Sequence, residues 1–243
     1  MRLIRNDKFI KQRAGLGRYV SFGGMGILIV GLLISFSSPE LFYISFLCLL
    51  VGFLCSQIGI YLTNRYARLD RPDEILAKAL KGFDDRYALY EYTSPAGSVF
   101  LTPNACIVFT VKSQSGSIEF RDGKWRHQTG GLRRIFGWMT QEGIGNPIRD
   151  AQAEAGALQR FLSKKLPDVE VQIQPMIVFG SPKAEVNAAD SPIPAVHAKK
   201  LKEWLRSHAK SGSLDADTHD RLALLFEIPE ATHKPADSSE TEE

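Results

Sequence analysis

The sequence predicts an α/β fold: an N-terminal two-helix transmembrane hairpin followed by an α/β sandwich around a small mixed sheet. Three observations carry this. Between Tyr19 and Leu62 the only formally charged residue is Glu40. Two short runs, Ser98–Leu101 and Cys106–Val111, rich in β-branched and aromatic residues, meet at a Pro103-Asn104 turn and read as paired strands. A long amphipathic pattern opens at Asn146-Pro147, so strands and helices alternate along the chain.

The apolar stretch divides at Ser37-Ser38-Pro39-Glu40 into Tyr19–Phe36 and Leu41–Leu62. Each run approaches or meets the roughly 20 residues a helix needs to cross the hydrocarbon core. Arg2, Arg5, Lys8, Lys11, Arg13 and Arg18 precede the first run, and Arg65, Arg68 and Arg71 follow the second, while the turn between them carries no basic residue. The positive-inside rule then puts both ends in the cytoplasm, as a multi-pass protein of the cell membrane with the bilayer as its first partner. A cleaved signal peptide fits less well, because the basic lead is long, no A-x-A-like site follows and a second span comes at once.

Cys48, Gly52 and Ser56 recur every four residues on the second span as a stripe of small side chains. The simplest partner is the first span, with its Gly23, Gly24, Gly26 and Gly31; a homo-oligomer formed through the same stripe is the alternative. Cys48 and Cys55 lie within the spans and Cys106 in a strand, so the thiols read as packing residues.

Beyond Arg71 the chain reads as soluble. Residues 1–18 form a basic N-terminus, 19–64 the hairpin, 71–208 the α/β domain, 209–227 a helical extension and 228–243 a disordered acidic tail. Pro72-Asp73-Glu74 starts a short helix running to about Lys81, with acids at the positive end of its dipole. Tyr87–Tyr92 reads as a strand, and Asp122-Gly123 as the turn of a β-hairpin over Ser117–His127. Gln128–Asn146, glycine-rich and carrying Arg133, Arg134, Phe136 and Trp138, reads as a long loop able to touch nucleic acid or an anionic bilayer. The helix after Asn146-Pro147 places Ala151, Ala155, Leu158, Phe161 and Leu162 at helical spacing. A strand over Val169–Phe179, a helix over Ala198–His208 and a last short helix over Asp217–Phe226 complete the order.

The net charge of +3 is too small to dictate a partner. His127, His197, His208, His219 and His233 show no zinc spacing, and there is no nucleophile elbow or phosphate loop, so small-molecule catalysis has no support. Lys112 is the residue that asks for an explanation, because an ammonium at the end of a buried strand needs a partner or a route to solvent.

The run Val99-Phe-Leu-Thr-Pro-Asn-Ala-Cys-Ile-Val-Phe-Thr-Val-Lys112, with Ser115–Ile118, Gly123-Lys124-Trp125, Asn146-Pro147, the Gln172–Phe179 strand and Pro182–Glu185, resembles the nuclease-related domain NERD, over about Glu74 to Arg206. That domain is regarded as a branch of the PD-(D/E)XK nucleases, so the resemblance implies a restriction-endonuclease-like sandwich. In that superfamily an aspartate near the start of one strand and the glutamate of an E-x-K pattern on the next hold a divalent metal, usually magnesium, while the lysine helps place the attacking water. Here the Asp-His position falls on Gly97-Ser98 and the glutamate on Thr110; Lys112 alone matches. A lysine without its carboxylates repels a divalent cation. The resemblance therefore implies a domain that has lost its metal site, needs no cofactor and persists as a binding or scaffold module. Nucleic acid is the first candidate ligand, through Lys112, Lys124, Arg126, Arg133 and Arg134. Two alternatives stand beside this reading. One is a Mg²⁺-dependent membrane-tethered nuclease with a relocated acidic site, for which Lys112 and Glu74 are the catalytic candidates. The other is a structural membrane protein assembling through its hairpin. Glu91, Glu119 and Asp122 are expected to serve solvent exposure or the hairpin turn, and Asp150 and Glu154 the solvated face of their helix.

Overall fold

The computed structural model describes residues 1–67, 71–128, 144–208 and 214–227. Two compact units emerge, Asn6–Pro72 and the remainder, the latter including Met1–Arg5.

The first unit is a helical hairpin. Helix α1 spans Asp7–Ser37, capped by Asn6, whose side-chain oxygen accepts from Phe9 N. A 3₁₀ turn over Pro39–Leu41 leads to α2, Phe42–Tyr66. Both helices are long and apolar enough to cross a membrane, and their aromatic side chains point outward, with Tyr19, Phe36 and Tyr43 more than three-quarters exposed. The seam is made of small residues. Cβ atoms built on Gly17, Gly24 and Gly31 would lie within 3 Å of Leu62, Ser56 and Cys48, and one on Gly52 within 3 Å of Leu28 and Gly24 O. Gly17, Gly24 and Gly31 repeat every seven residues, the period of a left-handed helix pair. Ser45 Oγ donates to Gly31 O at 2.7 Å inside this seam. The Cys48, Gly52 and Ser56 stripe thus faces α1 and is not an open surface for a second copy.

The second unit is built on a six-stranded mixed sheet of order β1-β2-β3-β4-β7-β9, comprising Arg2–Arg5, Ala88–Glu91, Ser98–Leu101, Cys106–Lys112, Ile173–Phe179 and Ala195–His197. Helices cover both of its faces, as the sequence predicts. On one side α4 (Pro147–Lys165) and α6 (Ala216–Glu227) bury Leu158, Leu162, Leu222 and Phe226 against Tyr90, Val99, Cys106 and Val108. On the other side α3 (Pro72–Ala79) and α5 (Ala198–His208) bury Leu76, Leu201 and Leu205 against Leu89, Phe100, Ile107 and Phe109. A second sheet, β6-β5-β8, joins the expected hairpin Gly116–Arg121 and Lys124–Gln128 to Ala184–Asn187. Asp122 and Gly123 both have positive φ, the type I′ geometry that Asp-Gly favours.

Three strands depart from the sequence expectation. Arg2–Arg5 is the edge strand of the main sheet, parallel to β2, and not merely a basic lead. Strands β8 and β9 are four and three residues long, too short to show an alternation. The loop residues Arg133 and Arg134 and the tail from 228 onward lie outside the described residues.

Candidate functional site

Strand β4 sends Cys106 and Val108 into the α4 face and Ile107 and Phe109 into the α3 face. By this alternation Thr110 and Lys112 follow Val108 toward α4. Helix α4 is set there by its own sequence: Asn146 caps it by accepting from Arg149 N, Pro147 takes the first turn, and Ala151, Leu158 and Leu162 are its buried stripe. Asp150 and Glu154 flank that stripe one turn apart.

Two rungs join strand and helix. Thr110 Oγ1 donates to Glu154 Oε2 at 2.8 Å, and Lys112 Nζ donates to Asp150 Oδ2 at 2.6 Å. The two repeats match, since two strand residues advance about 6.7 Å and four helix residues about 6 Å. Lys112 therefore does not snorkel freely to solvent. Asp150 and Glu154, expected on a solvated face, instead supply carboxylates beside the E-x-K-like positions. Lys112 meets Asp150 and not Glu74, whose neighbour Asp73 is the inward acid of α3 at 1% exposure. Helical phase explains this: Asp73, Leu76 and Leu80 stand at i, i+3 and i+7, so Asp73 shares the buried stripe.

The opposite face of the same sheet end holds a second polar cluster. Glu91, expected to be exposed, is fully buried, and Ser98 opposite it in register donates to Glu91 Oε2 at 2.7 Å. Glu91 Oε1 is buried with no hydrogen-bond partner among the described residues. Burial is the main cause that pushes the Glu91 carboxyl well above the usual range; the Ser98 hydroxyl opposes it, the Asp73 charge adds to it, Arg5 counters it and Glu154 adds to it. Arg5, opposite Glu91 in the β1–β2 register, pairs with Asp73 at 3.1 Å. The sequence carried a partial signal for Asp73 in its helical phase. For Glu91 it carried none, since the strand that covers it comes from the chain's first residues.

The remaining candidates lie apart on the β5–β6 hairpin. Lys124 is exposed, and Arg126 pairs with Asp122 at 3.0 Å. Among the described residues no three His, Cys, Asp or Glu side chains converge to hold a metal ion. Gly97 offers no side chain, and the nearest oxygens of Asp150 and Glu154 are engaged by an ammonium and a hydroxyl.

Comparison with known proteins returned one family. Residues 73–180 match the model of the nuclease-related domain, NERD. Neither the search of curated proteins nor that of solved structures found a match. The matched stretch runs from the first turn of α3 to the end of β7 and so includes Asp73, Glu91, Ser98, Thr110, Lys112, Asp150 and Glu154, while β8, β9 and α5 fall beyond it. Residues 73–180 of this chain are thus similar to a nuclease-related domain, and they follow two helices with the length and apolarity of membrane spans.

Proposed function

We propose that this chain is a membrane-anchored nuclease-related domain that does not cleave phosphodiesters and serves as a cytoplasmic binding or scaffold module. The observation that supports this most directly is the Lys112–Asp150 pair at 2.6 Å. The family's lysine is neutralised by a helical carboxylate, and its glutamate position carries Thr110, itself hydrogen-bonded to Glu154. The test is a digest of plasmid and oligonucleotides by the full chain in detergent, with magnesium or manganese. No cleavage above that of Lys112→Ala is expected; cleavage abolished by Lys112→Ala would overturn the reading.

Nucleic acid is the proposed ligand, through phosphate contacts at Lys124 and Arg126 on the exposed strand of the β5–β6 hairpin, with Arg133 and Arg134, which follow it in sequence. Lys112, tied to Asp150, contributes only if phosphate displaces that carboxylate. Oligonucleotide binding should weaken steeply with salt, and the absence of any salt-dependent binding would remove nucleic acid as the ligand.

The same rungs favour a second reading. Asp150 and Glu154 are carboxylates returned from α4 to the strand positions that lack them, as a Mg²⁺-dependent nuclease with a relocated acidic site requires. In that case Glu154→Gln and Lys112→Ala would each abolish metal-dependent cleavage.

Both ends of the chain are proposed to be cytoplasmic. The basic flanks support this, and so does the pairing of Arg2–Arg5 with Ala88–Glu91, which puts the segments before and after the hairpin in one unit.

A further inference from the structure

Helix α1 is longer than the span it contains. Tyr19–Phe36 is 18 residues, about 27 Å of helix, which suffices for the hydrocarbon core. Asp7–Arg18 continues the same helix for about 18 Å beyond it. In this extension Ile10, Ala14 and Gly17 are buried, and Lys8, Lys11, Gly15 and Arg18 follow at i, i+3, i+7 and i+10 on another face. Lys8, Lys11 and Arg18 are exposed, and among the described residues none of them forms an ion pair or hydrogen bond. A Cβ on Gly15 would meet nothing within 4 Å, so the backbone lies open between Lys11 and Arg18. The extension is braced by aromatic contacts: the Phe9 and Tyr66 rings meet edge to face at 5.9 Å, with Arg13 over Phe9 and Arg65 over Tyr66.

We propose that the Lys8–Lys11–Arg18 face, with the notch at Gly15, is a binding site for the phosphate headgroups of anionic phospholipids. This rests on the reading of α1 and α2 as membrane spans. The position of the cations selects lipid over a soluble polyanion. Arg18 abuts Tyr19, the first residue of the apolar run, and falls in the headgroup layer. Lys11 and Lys8 stand about 12 and 16 Å above the hydrocarbon edge, so beyond the headgroup layer they lie within roughly one Debye length of about 8 Å, where the attraction is weakened but not lost. A rigid helix that cannot leave the bilayer holds all three at that depth.

The test uses the full chain reconstituted in phosphatidylcholine bilayers, with spin-labelled phosphatidylglycerol and spin-labelled phosphatidylcholine as probes. The protein should immobilise phosphatidylglycerol with a several-fold preference. That preference should fall toward unity in about 1 M salt, where the Debye length is about 3 Å, and in the triple variant Lys8→Gln/Lys11→Gln/Arg18→Gln. Lys8→Arg/Lys11→Arg should retain it. Equal immobilisation of both lipids by the wild type, or a preference unchanged in the triple variant, overturns the site while leaving the spans in place. If neither lipid is immobilised, the membrane reading fails, and the site with it.

Discussion

Lys112 and Asp150 share one ion pair but not one environment, their side chains being 17% and 48% exposed. Removing either charge should therefore have unequal effects. Asp150→Asn strands a largely buried ammonium and should destabilise the domain by about 1 kcal/mol, roughly 2–4 °C in Tm. Lys112→Met keeps the aliphatic stem and leaves a half-exposed carboxylate that water can solvate, so its effect should be smaller. Thermal denaturation of the two variants in detergent checks the order. Glu91 makes the second prediction at this scale. Its carboxyl is held above its ordinary value of 4.5 by burial, so between that value and its folded value the native state binds more protons than the unfolded one. Stability should then decline as pH rises through this window and be unaffected below it. Glu91→Gln removes the titration, and its Tm should exceed that of the wild type at neutral pH, with the gap closing near pH 4. A gap independent of pH would rule out Glu91 as the source. Lys112 was legible in the sequence because a lysine ending a β-branched run is conspicuous. Its partner was not, since Asp150 lies 38 residues away and only the rotational setting of a helix on a sheet brings the two together.

The hairpin shows how close element packing was written into the sequence and where it was not. Glycines at 23 and 24 are neighbours with opposite surroundings. A Cβ at Gly24 would sit 2.8 Å from Ser56 N and 2.9 Å from Gly52 O, both backbone, so α1 and α2 must separate to admit it. At Gly23 it would meet nothing within 4 Å. Gly24→Ala should lower the unfolding midpoint of the hairpin in detergent, and Gly23→Ala should leave it unchanged or raise it slightly, since alanine is the better helix former. The glycine content of the first span was visible in the sequence, and the seven-residue recurrence of Gly17, Gly24 and Gly31 could have picked the seam from among its glycines. Long periodic elements such as α4 and the β3–β4 pair were equally legible. Strands β1, β8 and β9 were not: β1 offers only Leu3 and Ile4 between arginines, and its strand character comes from pairing with β2. The helix cap is more local. Asn146 is recognisable from its own dipeptide, and Asn146→Ala should cost about 1 kcal/mol by leaving the Arg149 amide without its acceptor.

At the scale of the whole molecule the apolar helical hairpin is an insertion in the α/β unit. The charge vacuum from Tyr19 to Leu62 made the two helices plain, but nothing local in the sequence says that the segment before them belongs to the sheet of the domain after them. Arg2 stands opposite Ala88, Arg5 opposite Glu91, and Arg5 pairs with Asp73 on the first turn of α3. The chain thus leaves the α/β unit at Asn6 and rejoins it at Asp73. If α1 and α2 each cross once, as proposed, a sheet that contains both flanking segments can form only if they emerge on one side of the bilayer, and Glu40 in the Pro39–Leu41 turn must then lie on the other. The basic flanks support the proposal that the first side is the cytoplasm. Glu40→Cys should accordingly react with a membrane-impermeant maleimide in intact cells, whereas Asp122→Cys, at the tip of the β5–β6 hairpin, should react only after the membrane is permeabilised. The wild type sets the background from Cys48, Cys55 and Cys106. Labelling of both variants in intact cells would place Glu40 on the same side as the domain and show that the two helices do not each cross. Labelling of Asp122→Cys together with protection of Glu40→Cys until permeabilisation would reverse the orientation while preserving the two crossings. Protection of both positions until permeabilisation would place Glu40 on the same side as the domain and show that the two helices do not cross.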